Sequence, residues 1–120
     1  MKRRYVMAAG WTLLILAGCS IPGNEIQKLG FNLFEADKLV HFSFFLVYGW
    51  LWSSALPEHL GSKLAWVGIT GLCYGVGTEI YQGMLPWDRT PDPLDAMANM
   101  TGLLLAILVY GVRYRKNTAV

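Results

Sequence analysis

Residues 39–57 read LVHFSFFLVYGWLWSSALP, nineteen residues without one Asp, Glu, Lys or Arg. A helix on the surface of a water-soluble domain carries charges every few residues along its wet face. An uncharged run of this length therefore points to a nonpolar solvent. Outward from it the pattern repeats. Residues 5–24, 64–78 and 96–112 are likewise uncharged, so all ten Lys and Arg and all eight Asp and Glu of this 120-residue chain fall outside four stretches. Apolar residues make up 54% of the chain and charged ones 15%, and the mean hydropathy is +0.37. Such a chain is too apolar to stay disordered, and its charge segregation argues against an ordinary soluble domain.

The expected fold class is all-α: a polytopic membrane helical bundle with four transmembrane helices in a single domain, 1–120. The spans are placed at about 5–22, 39–56, 64–85 and 96–112, near the length that a bilayer core requires. Within hydrocarbon every backbone N–H and C=O must be satisfied internally, and four strands cannot close a barrel, so the spans must be helices. Lys2, Arg3, Arg4, Lys63, Arg113, Arg115 and Lys116 would lie on the cytoplasmic side if the N-terminus is inside, leaving only Lys28, Lys38 and Arg89 outside. The positive-inside bias then predicts a multi-pass protein of the bacterial cytoplasmic (inner) membrane with both termini cytoplasmic. Tyr5, Trp50, Trp52, Trp66, Tyr110 and Tyr114 would mark the inner interface, and Tyr81 and Trp87 the outer one. Gly68, Gly71 and Gly75 recur at helical spacing, which predicts the third helix at the centre of the bundle.

A different reading of the N-terminus stays open. Leu16-Ala17-Gly18-Cys19 after Met1-Lys2-Arg3-Arg4 resembles a lipobox, and cleavage there would acylate Cys19 and leave three spans. The apolar run continues past Cys19 to Pro22-Gly23, which favours a first transmembrane helix.

Other classes drop out. Net charge is only +2, and basic residues cluster at the chain ends, so no nucleic-acid partner is expected. Cys19 and Cys73 both sit in apolar runs, against a disulfide framework or a cysteine metal site. No nucleophile constellation, phosphate loop or HExxH motif is present. One histidine with scattered carboxylates is a weak metal signal, so neither a cofactor nor a metal is expected.

The polar residues of the spans collect in the external leaflet. Asp37, Lys38 and His41 open the second helix, Glu79 and Gln82 close the third, Arg89, Asp92 and Asp95 occupy the loop, and Asn99 lies one turn into the fourth. Spacings of three and four place Asp37, Lys38 and His41 on one face, and likewise Glu79 with Gln82 and Asp95 with Asn99. Three helices thus aim acidic, basic and amide groups at one externally open pocket. Singly, each has a plainer role. Asp37 and Asp95 fit as helix N-caps, Lys38 as a snorkelling interface residue and Glu79 as the partner of Arg89 in an ion pair. His41 fits as a satisfied interior histidine, and Gln82 and Asn99 as interhelical hydrogen-bonding glue.

Asp37-Lys38-x-x-His41-Phe42, Tyr74-Gly75-x-x-x-Glu79-x-x-Gln82, Pro86, Arg89, Asp95, Asn99 and Gly102 together resemble the VanZ-like family of small integral membrane proteins, in order as well as in spacing. The likeness runs from Ser20-Ile21-Pro22 to about Ala106. One departure is Asp92, where the family more often carries a small hydroxyl residue. The founding member is associated with low-level resistance to the glycopeptide teicoplanin, so the resemblance implies a cell-envelope role at the outer face of the membrane.

Two functions follow as expectations. The first is a binding module whose external pocket takes a membrane lipid headgroup or a lipid-linked envelope precursor, with Lys38 and Arg89 on phosphate or carboxylate and Gln82 and Asn99 as hydrogen-bonding groups. The alternative is a small membrane enzyme with Glu79 and His41 as an acid–base pair. A bundle of this size is also a candidate for homo-oligomerisation.

Overall fold

The computed structural model describes residues 1–22, 25, 28, 30, 33–57, 59–87 and 90–119. Among them are four helices and no strand: α1 (Lys2–Cys19), α2 (Leu33–Ala55), α3 (Leu60–Met84) and α4 (Pro93–Thr118). The helix ends follow from proline and capping chemistry. Beyond α1 the Ser20 amide bonds back to the Leu16 and Ala17 carbonyls, and Pro22 can extend the helix no further. Leu56 and Leu85 each precede a proline, which disfavours helical backbone, and Leu85 is extended at ψ 148°. At the start of α4, Asp92 takes the cap position, its side chain accepts from the Leu94 amide, and Pro93 supplies a first helical residue that needs no N–H partner.

Two capping expectations are corrected here. α2 begins at Leu33, a full turn before Asp37, so Asp37 is an interior helical residue. Asp95 lies in the first turn of α4, and the cap is Asp92. Proline decides the second case: with Pro93 fixed at the first helical position, the cap must be the residue before it.

The bundle measures 51 × 25 × 23 Å. Its central element is α2, which packs on α1, α3 and most extensively α4, while α3 makes little contact with α1. The expectation that the third helix is central therefore fails, for a steric reason. The closest backbone approach is between α2 and α4, where a Cβ on Gly102 would strike the Phe42 carbonyl and come within 3.0 Å of the Leu46 nitrogen. One turn on, a Cβ on Gly49 would lie 2.7 Å from that of Ala106. On α3, Gly71 admits the Leu103 methyls and Gly75 lies against Phe45, but Gly68 faces only the tip of Ile107. The α3 glycines accommodate side chains, whereas Gly102 accommodates a backbone.

Ile15, Cys19, Phe45, Tyr48, Val67 and Leu103 form the apolar centre, with the Tyr74 ring stacked on Tyr48 at 5.7 Å. Many other large apolar side chains point outward: Leu104, Leu105, Leu108, Val109 and Val112 on α4, Val6, Leu13 and Leu14 on α1, Leu39 and Val40 on α2, and Ile69, Val76 and Ile80 on α3. The buried set, in contrast, includes His41, Ser53, Lys63, Thr78, Glu79, Gln82, Asp95 and Asn99. By length and composition one described helix, α4, is apolar enough to cross a membrane, and only 28% of its apolar stretch is covered by the rest of the protein. α1 opens on three cations, and α2 and α3 are diluted by Trp, Tyr, Gly, Ser, Thr and His.

Candidate functional site

The buried polar side chains meet around one imidazole. His41, 3% exposed, lies on α2 a turn beyond Asp37 and Lys38, so all three can address the α4 N-terminus. Its Nδ1 is 3.0 Å from Asn99 Oδ1 on α4 and 3.5 Å from Glu79 Oε1 on α3. Its Nε2 faces Asp37 Oδ1 at 3.7 Å and Asp95 Oδ2 at 3.9 Å. Asn99 Nδ2 is directed at the Gly75 carbonyl, 3.5 Å away, which turns its Oδ1 to the imidazole. In that arrangement the Nδ1–H donates to Asn99, and Nε2 is the nitrogen between two carboxylates.

Asp95 continues the network outward. Its Oδ1 is 3.3 Å from Lys38 Nζ, which also lies 3.2 Å from Asp92 Oδ2. The Leu94 amide and then the Lys38 ammonium hold the Asp92 carboxyl below the usual carboxylate range. His41, Glu79, Asp95 and Asn99 form a buried floor, and the partly exposed side chains of Asp37 (28%), Lys38 (27%) and Asp92 (35%) form its rim.

Of the eight residues expected in the site, Asp37, Lys38, His41, Glu79, Asp95 and Asn99 come together. Gln82 is buried nearby, but its Nε2 donates to the Cys19 carbonyl at 3.3 Å, which satisfies the open C-terminal end of α1. It acts there as interhelical glue. Arg89 lies outside the described residues, and so does any account of its pairing with Glu79. Lys38 is engaged between two carboxylates, which weakens the expectation that it holds a phosphate. The residue that sequence reasoning undervalued is Asp92, which both caps α4 and anchors Lys38. The Asp-Pro pair ahead of an apolar run was the signal for it. Ligand atoms of Asp37, His41 and Asp95 all lie within 4.8 Å of one another, a spacing that could hold a divalent cation in competition with Lys38.

The other end of the bundle is built differently. Trp50 meets Tyr110 edge-on at 5.4 Å, Tyr110 stacks on Tyr114, and Tyr5 packs edge-on against Trp52. Lys63 Nζ lies 5.8 and 5.5 Å from the Tyr110 and Tyr114 ring centres, and the Arg113 guanidinium is 5.8 Å from that of Trp50. Five of the six aromatic residues expected at an inner interface, Tyr5, Trp50, Trp52, Tyr110 and Tyr114, thus share this end with Lys63 and Arg113. Cys19, the candidate lipobox cysteine, is buried at the contact of α1 with its neighbours.

Comparison with protein-family models, curated proteins and solved structures finds no match to this chain.

Proposed function

We propose that this chain is a four-span membrane protein, both termini cytoplasmic, whose buried polar cluster opens at the external face and binds the headgroup of a membrane lipid or lipid-linked envelope precursor. The observation that carries this reading is the inverted distribution of side chains: Leu, Val and Ile outside, and His41, Glu79, Asp95 and Asn99 together inside. In water such an exterior would be an extensive apolar patch, whereas in a bilayer it is the expected surface. At about 1.5 Å rise per residue, α2, α3 and α4 are each roughly 35–39 Å long, enough to cross a hydrocarbon core of about 30 Å. Ionisable groups inside such a core are costly and generally mark a functional pathway or site.

The chemistry of the rim favours particular ligand groups. Asp37, Glu79, Asp92 and Asp95 outnumber Lys38 and His41 among the described residues of the cluster. The rim carboxylates Asp37 and Asp92 can accept from the amino or hydroxyl donors of a headgroup. The resemblance to VanZ-like proteins extends the proposal to envelope physiology and to tolerance of teicoplanin, which susceptibility testing of an expressing strain would measure. The enzyme alternative rests on the 3.5 Å approach of Glu79 to His41 Nδ1. That nitrogen already has the shorter contact to Asn99, so binding is the better-supported function.

The test is binding of envelope lipids to the purified protein in nanodiscs, comparing wild type with His41→Ala and Asn99→Ala. Saturable binding without turnover, weakened about tenfold or more in folded variants, is the expected result. Product formation that depends on Glu79 would instead establish the enzyme, and binding equal in all three proteins would reject the site.

A further inference from the structure

The end of the bundle opposite His41 holds two cavities that the proposed headgroup site does not use. One, of about 510 Å³, is lined by Arg3, Arg4, Trp50, Ser54 and Tyr110 together with Met7 and Leu51. The second, of about 440 Å³, shares Arg4, Ser54 and Tyr110 and adds Lys63 and Tyr114. Both fall in the size range of small-molecule sites. Among the described residues no carboxylate lines either cavity, and no Asp or Glu lies within ion-pair distance of Arg3, Arg4 or Lys63.

Lys63 is the informative residue. It is 94% buried, since only 6% is exposed, it lines the second cavity, and its ammonium lies over the Tyr110 and Tyr114 rings that line the same cavity. Ring faces offset part of the cost of burying a cation, but they do not replace an anion. Arg4 is fixed nearby by one hydrogen bond from its Nη1 to the Ser54 carbonyl at 3.3 Å, which leaves most of its N–H fork available.

We infer that Arg4 and Lys63 form a binding site for a phosphate group, and that its source is an anionic phospholipid of the inner leaflet. A guanidinium fork matches a phosphate in a bidentate manner, and a buried ammonium adds a point charge beside it. Tyr and Trp rings suit the headgroup level of a bilayer. Met7 lines the larger cavity and, with Val6, is exposed on α1, so acyl chains attached to the phosphate would meet an apolar surface. This inference rests on the membrane reading above and is independent of what the His41 cluster binds.

The full chain, released from mixed nanodiscs, is analysed for retained phosphatidylglycerol and phosphatidylcholine by native mass spectrometry. Wild type is expected to retain phosphatidylglycerol over phosphatidylcholine about tenfold, and Arg4→Gln/Lys63→Gln to lose that preference. Arg4→Lys/Lys63→Arg keeps both charges and should retain most of the selectivity, while Thr101→Ala, on an exposed face of α4, should change nothing. Far-UV circular dichroism confirms that each variant is helical. Inorganic phosphate at about 10 mM tests the source: failure to displace phosphatidylglycerol supports the lipid, and displacement without lipid selectivity overturns it in favour of a soluble phosphate. Equal retention of the two lipids by wild type, or undiminished selectivity in the folded glutamine variant, overturns the site.

Discussion

The two ends of this bundle solve the problem of burying charge in opposite ways. Around His41, cations and anions are interleaved: Lys38 lies between Asp92 and Asp95, and the imidazole lies between Asp37, Asp95, Glu79 and Asn99. Around Lys63 the cations face aromatic rings with no described carboxylate beside them. The first end is a cross-braced network in which removing one member leaves others exposed to the full cost of desolvation. The second carries positive charge with no counter-ion among the described residues, so its stability depends less on any one cation while its attraction for anions depends on all of them. Burial alone therefore does not tell what a polar group does. The sign and spacing of its neighbours do.

The strongest way to break the comparison is to break both ends at once. Gly102→Val puts a side chain into the Phe42 carbonyl where α2 and α4 cross. Overpacking generally costs about 1–3 kcal/mol and more when backbone must move, so loss of the monodisperse, folded protein in size-exclusion chromatography is expected. Next in size is Asp95→Ala, which strips Lys38 and His41 of a shared, buried partner. A loss of about 3 kcal/mol is expected by denaturant titration in detergent, with phosphatidylglycerol selectivity at the Arg4–Lys63 end retained.

A pH titration sharpens the contrast further. The Asp92 carboxyl is held below its usual value of 3.8, so its ionised form supports the fold above that value, and the support is lost as pH falls through the lower folded-state value. Thermal scans between pH 6 and about pH 3 should show wild type losing stability at the acid end, and Asp92→Asn, which keeps a capping oxygen but no charge, losing less. The smallest stability effect belongs to Lys63→Met. Removing a cation held over aromatic rings should change unfolding free energy by about 1 kcal/mol or less, while anionic-lipid retention falls. A large destabilisation by Lys63→Met, or a negligible one by Asp95→Ala, would erase the distinction between the two ends.

Much of this was legible in the sequence, because the informative signals are local. Uncharged runs of 15–20 residues reveal four helices, and spacings of three and four place Asp37, Lys38 and His41 on a common face. Asp95 and Asn99 were within reach for the same reason. What the sequence concealed is non-local. Three glycines on α3 look like a packing stripe, yet only the fold shows that Gly102 meets a backbone and Gly68 meets almost nothing. Gln82 shares a helical face with Glu79, but its amide donates to the Cys19 carbonyl of α1. Lys63 reads as a positively charged loop residue by position, and only packing against Tyr110 and Tyr114 reveals it as a buried cation. Asp92 reads by position as a loop residue, and only the fold shows it anchoring Lys38 as well as capping α4.

The proposed topology places the membrane between the two ends, with His41 outside and Lys63 inside. In a Cys73→Ser background, where the native Cys19 is buried, cysteines placed at the exposed positions Thr90→Cys and Ser62→Cys can be labelled in intact cells with a membrane-impermeant thiol reagent. Labelling at Thr90→Cys, and at Ser62→Cys only after the cells are opened, is the predicted result. Labelling of both from the same side would contradict it.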